Sequence, residues 1–306
     1  MRAIRRKRKK AISDLTEHKV FFIMNNSQRH SILCPNCRKL IRSDESRCPY
    51  CGINTPGSWQ KINILSKIAG NGDKIIQAIF YTNIGMYVLS LLLYPGAIRL
   101  TFDPFSLLSP DGESLILLGA TGTIPVDRMG RWWTIVSANY LHGGIIHLLF
   151  NMAAFRQLAP LVLRTYGMHR FIALYVLTGI AGFWVSYLAG VKFTIGASAA
   201  VCGLIGATLY YGKSRGDTYG EAIYKQVSGW VMGLFIFGLL VPRINNWGHG
   251  GGLLAGILLG FLLGYLEKRK ENFSHKILGW VCIALTLIVL GWAIGFSVYY
   301  RIGGGM

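Results

Sequence analysis

Acidic residues are scarce: 13 Asp and Glu stand against 32 Lys and Arg in 306 residues, and charged residues of every kind make up 15%. The acids are also confined. Asp103, Asp111, Glu113 and Asp127 fall in one long loop, and Asp217, Glu221, Glu267 and Glu271 fall at the ends of apolar runs. No carboxylate lies within such a run, which excludes a pair of aspartates working inside a bilayer. Ion-coupled transport usually needs ionisable groups in the spans, and here only histidines are on offer. No His-Glu-x-x-His run occurs, so a zinc metalloprotease of that kind is excluded as well. The opening MRAIRRKRKK has no apolar core after it and does not read as a secretory signal.

What is abundant is apolar sequence, at 52% of residues, together with 38 glycines. Apolar stretches near the ~17–25 residues that cross a bilayer recur from about residue 76 onward. The expected fold class is an all-α polytopic membrane protein preceded by a small soluble head. The organisation reads as a basic tail (1–30), a cysteine-bearing segment (31–56), an interfacial linker (57–75), a membrane core (76–267), and a loop plus one further span (268–306). Core spans are placed at about 76–98, 138–164, 170–190, 196–212, 226–243 and 248–267, with the additional span at 277–299. The long loop between the first two carries apolar pieces, Phe105 to Leu108 and Leu115 to Leu118, expected to lie against the bilayer.

The formal charge of +19 sits mainly in the head and in alternate short loops. Arg164, Arg170, Lys213, Arg215, Lys225 and Lys268 to Lys270 fall on one side with the N-terminus. The positive-inside rule therefore predicts a cytoplasmic N-terminus and an extracytoplasmic C-terminus. The basic tail reads as a solvated segment held near anionic lipid, with no specific nucleic-acid partner.

Three expected spans run from outside to inside, and each opens on unusual polar residues: His142, His147 and Asn151; then Gly196-Ala197-Ser198; then Gly248-His249. A serine among small residues is ordinarily packing, and an intramembrane histidine or asparagine ordinarily a hydrogen-bonding tie. Their convergence at one depth favours chemistry instead. Ser198 supplies a hydroxyl nucleophile and His249 the base it needs. His147 and Asn151 are four apart on one helix face and can donate to an oxyanion. The Ser198 amide lies in the first turn of its helix, where backbone N–H groups are unpaired. Gly248, Gly252, Gly256, Gly260 and Gly264 recur every four residues, matched by Ala199, Gly203 and Ala207, which lets two helices approach closely.

The stretches GRWWTIVSANYLHGGIIHLLFNM, TIGASAAVCGLIGA and GHGGGLLAGILLG resemble the rhomboid family of intramembrane serine proteases. The resemblance implies a six-helix core over about 76–267, with the last span appended. It implies a Ser198–His249 dyad, and an oxyanion hole of His147, Asn151 and the Ser198 amide. His142, Gly196 and Gly252 would support the site. It further implies transmembrane protein substrates, cut near the outer end of a helix after a small residue, and no cofactor for catalysis. The substrate would enter beside the fifth helix, with 243–247 as a cap. The expected location is a bacterial inner (plasma) membrane, in contact with its lipids. Three positions depart from the family pattern: Ala199 for glycine, Cys202 for an aromatic beside the histidine, and Thr134 in a Trp-Arg pair. The alternative is a non-catalytic relative that binds membrane helices as a chaperone or adaptor.

Cys34-Pro-Asn-Cys37 and Cys48-Pro-Tyr-Cys51 form two Cys-x-x-Cys knuckles ten residues apart. Four thiolates at that spacing suit a structural, tetrahedral Zn2+. The inferred cytoplasmic side argues against disulfides. Such a zinc-ribbon-like segment could also dock a protein partner.

Overall fold

The computed structural model of the chain describes residues 31–34, 39–50, 52, 54–57, 59–97, 106–241 and 244–304. It divides into two compact units, residues 1–67 and 68–306.

In the first unit, β1 (Ser31–Leu33) pairs antiparallel with β2 (Leu40–Arg42) in the register Ser31 with Arg42. Cys34, Ile41 and Cys48 are buried together, with Ile32 against them. So small a core cannot offset the chain entropy of ordering the segment. Of the four expected zinc ligands, Cys37 and Cys51 lie outside the described residues, as does the basic tail. Among the described residues no group of three His, Cys, Asp or Glu is placed to hold a metal.

The membrane body is helical. α1 (Trp59–Leu93) begins inside the stretch read as an interfacial linker, so helix replaces linker there. A short α2 (Gly112–Leu117) starts at an Asp111 cap, and α3 (Thr134–Ser137) precedes the long α4 (Ile145–Tyr166). The second span was expected to begin near 138. It begins at 145 because the backbone at Gly144 is extended, which ends any helix coming from the N-terminal side, and glycines at 143 and 144 are poor helix formers. Then follow α5 (Met168–Leu188), α6 (Ser198–Arg215), α7 (Thr218–Leu240), α8 (Asn246–Leu263) and α9 (Phe273–Tyr299).

Among the described residues six helical segments are long and apolar enough to cross a membrane, where the sequence suggested seven. The one that fails this test is α6. It is rich in Gly and Ala, ends on Lys213 and Arg215, and buries most of its length against other helices. A helix sheathed by protein need not be apolar enough for lipid. α6 packs on α4, α5, α7 and α8 and is the centre of the bundle. Leu115, Leu117 and Leu118 of the long loop, expected against the bilayer, are instead buried in the protein at 5%, 3% and 0% exposure. α2 and α3 both pack against α9, whose chain reversal is held by the buried Arg170, bonded to the carbonyls of Gly264 and Arg269.

Candidate active site

α6 and α8 touch along their backbones. A Cβ added at Gly252 would overlap the Ala199 carbonyl oxygen, and one at Gly256 would overlap that of Gly203. One turn further on, a Cβ at Gly260 would stand 3.2 Å from the Ala207 Cα. The four-residue rhythm in α8 therefore meets the matching rhythm in α6, in register. Gly264 lies beyond this seam, as the C-cap of α8, with a positive φ of +67°. At the top of the seam Gly182 of α5 joins in: its Cβ would stand 2.6 Å from the Gly248 oxygen and 2.8 Å from the Ala199 methyl. Alanine at 199, one of the three departures from the family pattern, is thus accommodated by a glycine opposite.

This seam brings the turn bearing Ser198 against the turn bearing His249. Ser198 is the first residue of α6, and Ala197 before it provides no side-chain cap. The first amides of a helix have no carbonyl partner within it and carry the positive end of its dipole. Both Ser198 and His249 are half-buried. His249 Nδ1 is buried with no hydrogen-bond partner, and no bond joins the ring to Ser198 Oγ among the described residues. Among the described residues no carboxylate is bonded to this imidazole.

His147 completes the cluster. The point where Gly196 would carry a Cβ lies 2.7 Å from His147 Nε2 and 3.7 Å from Ser198 Oγ. Gly196 has φ +125°, and any side chain there would strike the ring as well as strain the backbone. The Gly143 amide donates to His147 Nδ1 at 3.3 Å. A neutral imidazole that accepts at Nδ1 carries its proton on Nε2. His147 therefore aims an N–H into the space beside Ser198.

Asn151 lies one turn along α4. It is buried, and its amide donates to the His147 carbonyl at 2.9 Å, leaving one N–H uncommitted. His142 is fully buried edge-on to His147, with centroids 5.0 Å apart and neither ring nitrogen partnered among the described residues. Thr134, a second departure, is fully buried and donates to the Arg131 carbonyl. Cys202, the third, is buried in α6.

One participant was missed in the sequence. Asn245 caps α8: its Oδ1 accepts the Gly248 amide at 3.0 Å, while Nδ2 donates to Ser186 Oγ at 2.7 Å and Thr194 Oγ1 at 2.8 Å. An asparagine just ahead of an apolar helix is a recognisable start signal.

Comparison with known proteins falls on the same stretch. A Rhomboid domain family model matches residues 129–266, from the loop before α3 to just past the end of α8. The chain is 32% identical over 191 residues to Rhomboid protease GluP of Bacillus subtilis (strain 168), covering 62% of this chain and 36% of that protein. It is 35% identical over 177 residues to RHOMBOID-like protein 5 of Arabidopsis thaliana, covering 54% and 55% respectively. For RHOMBOID-like protein 6, mitochondrial, of the same plant, the figures are 32% over 167 residues, 52% and 53%. The matched part thus spans from about a third to a little over half of these relatives. These matches show that residues 129–266 are similar to a Rhomboid domain, and among the described residues six helices are long and apolar enough to cross a membrane.

Proposed function

We propose that this chain is an intramembrane serine endopeptidase of the rhomboid type, cutting transmembrane substrates near the outer end of a helix. The observation that carries this reading is the α6–α8 seam, which sets the Ser198 turn against the His249 turn beside an N–H of His147. Ser198 Oγ attacks the scissile carbonyl carbon while His249 takes its proton, then returns it to the leaving amine. The developing oxyanion is met by the Ser198 amide, His147 Nε2–H and the free N–H of Asn151. Water then hydrolyses the acyl-enzyme by the same route. Substrate enters beside α7, most of whose side chains face outward and whose one ring contact with α4 is Phe237 on Phe150, centroids 6.4 Å apart. The charge pattern sets the N-terminus in the cytoplasm, the C-terminus outside, and the site near the extracytoplasmic face.

The direct test is labelling of the detergent-solubilised protein with a fluorophosphonate. Labelling that persists in Ser198→Ala overturns the assignment. The oxyanion roles have their own signature. Losing one such donor ordinarily costs ~2.7–4 kcal/mol of transition-state stabilisation. His147→Ala is expected to lower kcat by roughly 10²–10³-fold with KM nearly unchanged, measured on a purified reporter substrate.

The head is proposed to bind one structural Zn2+ through Cys34, Cys37, Cys48 and Cys51, with no metal used in catalysis. Two observations support the fit. Cys34 and Cys48 are buried together in a core too small to fold alone, and the Gly52 amide turns back onto the Cys48 carbonyl at 2.9 Å. Metal binding would then supply the folding free energy. Elemental analysis is expected to find one zinc per chain, lost in Cys48→Ser. Chelation is expected to expose residues 31–56 to proteolysis while the membrane body resists.

A further inference from the structure

Among the described residues no carboxylate is bonded to His249, so something else must fix where its helix begins. The hydrogen bonds around Asn245 meet that requirement. Asn245 stands four residues before His249, and its backbone carbonyl accepts the His249 amide at 3.1 Å. Its side-chain oxygen holds the Gly248 amide. Its side-chain nitrogen reaches two other elements: Ser186 in the last turn of α5, and Thr194 in the loop that leads into Ser198. Thr194 is itself fixed. It exchanges both backbone hydrogen bonds with Thr121, at 2.7 and 3.1 Å, and the Thr121 hydroxyl in turn bonds the Thr134 hydroxyl at 3.0 Å, donating to it because Thr134 gives its own proton to the Arg131 carbonyl. Two residues on, the Gly196 amide bonds the Ala138 carbonyl at 2.9 Å. The segment before the nucleophile is therefore anchored independently, and Asn245 ties the base-bearing helix to that anchor. Space at the knot is tight: a Cβ at Gly248 would stand 2.9 Å from Asn245 Nδ2 and 3.0 Å from Ser186 Oγ.

We infer that Asn245 is a positioning residue for the reaction, fixing the His249 turn relative to Ser198 through its paired donation to Ser186 and Thr194. The inference rests on the Ser198–His249 reading. It differs from a purely stabilising cap in one respect. Capping needs only the side-chain oxygen, whereas register with the Ser198 segment needs the side-chain nitrogen. The two duties can be separated, because serine is an equally good helix cap but is too short to donate to both hydroxyls.

Asn245→Ser is therefore expected to unfold at a temperature close to that of the parent, yet to lose roughly 10–100-fold in kcat with KM within about twofold. Its rate of fluorophosphonate labelling should fall in step. The double variant Ser186→Ala, Thr194→Val removes the acceptors and leaves Asn245 in place, and it should reproduce the kcat loss. This second variant also serves if Asn245→Ser does not fold. Parent-like kcat in either folded variant overturns the inference, as does a kcat loss that only follows a fall in thermal stability. Parallel assays of Ser198→Ala and His249→Ala separate the failures: if those cleave like the parent, the dyad reading falls first. If they are dead while Asn245→Ser is active, only the positioning role falls.

Discussion

Alanine at Ser198 is expected to abolish cleavage of a transmembrane reporter, with a fall in kcat of at least about 10⁴-fold, and to leave folding intact. His249→Ala should fall as far, and the double variant scarcely further. A nucleophile and its base act as a unit, so removing either removes the same step. Stability should survive because neither side chain is tied into the bundle. Ser198 is half-buried at a helix start with no side-chain cap role, and His249 Nδ1 has no partner to lose. The measurement is turnover of a purified substrate in detergent or vesicles, beside a thermal unfolding curve for each variant. Additive losses would mean that the two residues act separately. Parent-like turnover in Ser198→Ala would remove the protease reading and leave the helix-binding alternative standing.

Much of this site is legible in the sequence because its signals are periodic or chemically odd. Glycines every four residues in α8 face Ala199, Gly203 and Ala207 at the same interval, and that pattern alone points to the seam. A Gly-x-Ser at one helix start and a Gly-His at another stand out against apolar surroundings. The less legible parts depend on contacts between distant segments. Gly182 lies in a strongly apolar helix and gives no hint that it faces both Gly248 and Ala199. Asn245 shows as a helix cap, but its partners Ser186 and Thr194 are 59 and 51 residues away. The break before α4, which moves the start of that span from 138 to 145, has a related reason. Apolarity marks what lipid or core can accept, while helix ends are set by backbone groups and glycines. The same distinction explains α6, which is central to the bundle because it is not apolar enough to face lipid throughout.

A single methyl group on the seam should therefore be costly. In Gly252→Ala the new Cβ would overlap the Ala199 carbonyl oxygen, a backbone atom that no rotamer change can move. The helices must part, and overpacking of this kind costs about 1–3 kcal/mol, occasionally more. Gly256→Ala meets the Gly203 carbonyl in the same way and should lower thermal stability by a similar amount. Activity should separate the two. Position 252 is less than one turn from His249 and abuts the residue after Ser198, so a shift of about 1 Å there should cost roughly 10²-fold in kcat. Position 256 lies a turn further from the reacting groups, and its variant should keep more of its turnover. Removing the Ala199 methyl should not rescue Gly252→Ala, because the obstacle is the carbonyl rather than the side chain. Gly203→Ala is the contrasting case: its Cβ would strike the Thr178 side chain, the Thr178 Cβ included, so Thr178→Gly, which removes that atom too, should restore part of the lost stability while Thr178→Ala should not. Gly291→Ala, with nothing within 4 Å of its added Cβ, serves as the control and should be neutral or slightly stabilising. Equal stability for Gly252→Ala and the parent would mean that α6 and α8 do not meet backbone to backbone, and the pairing of Ser198 with His249 would lose its support.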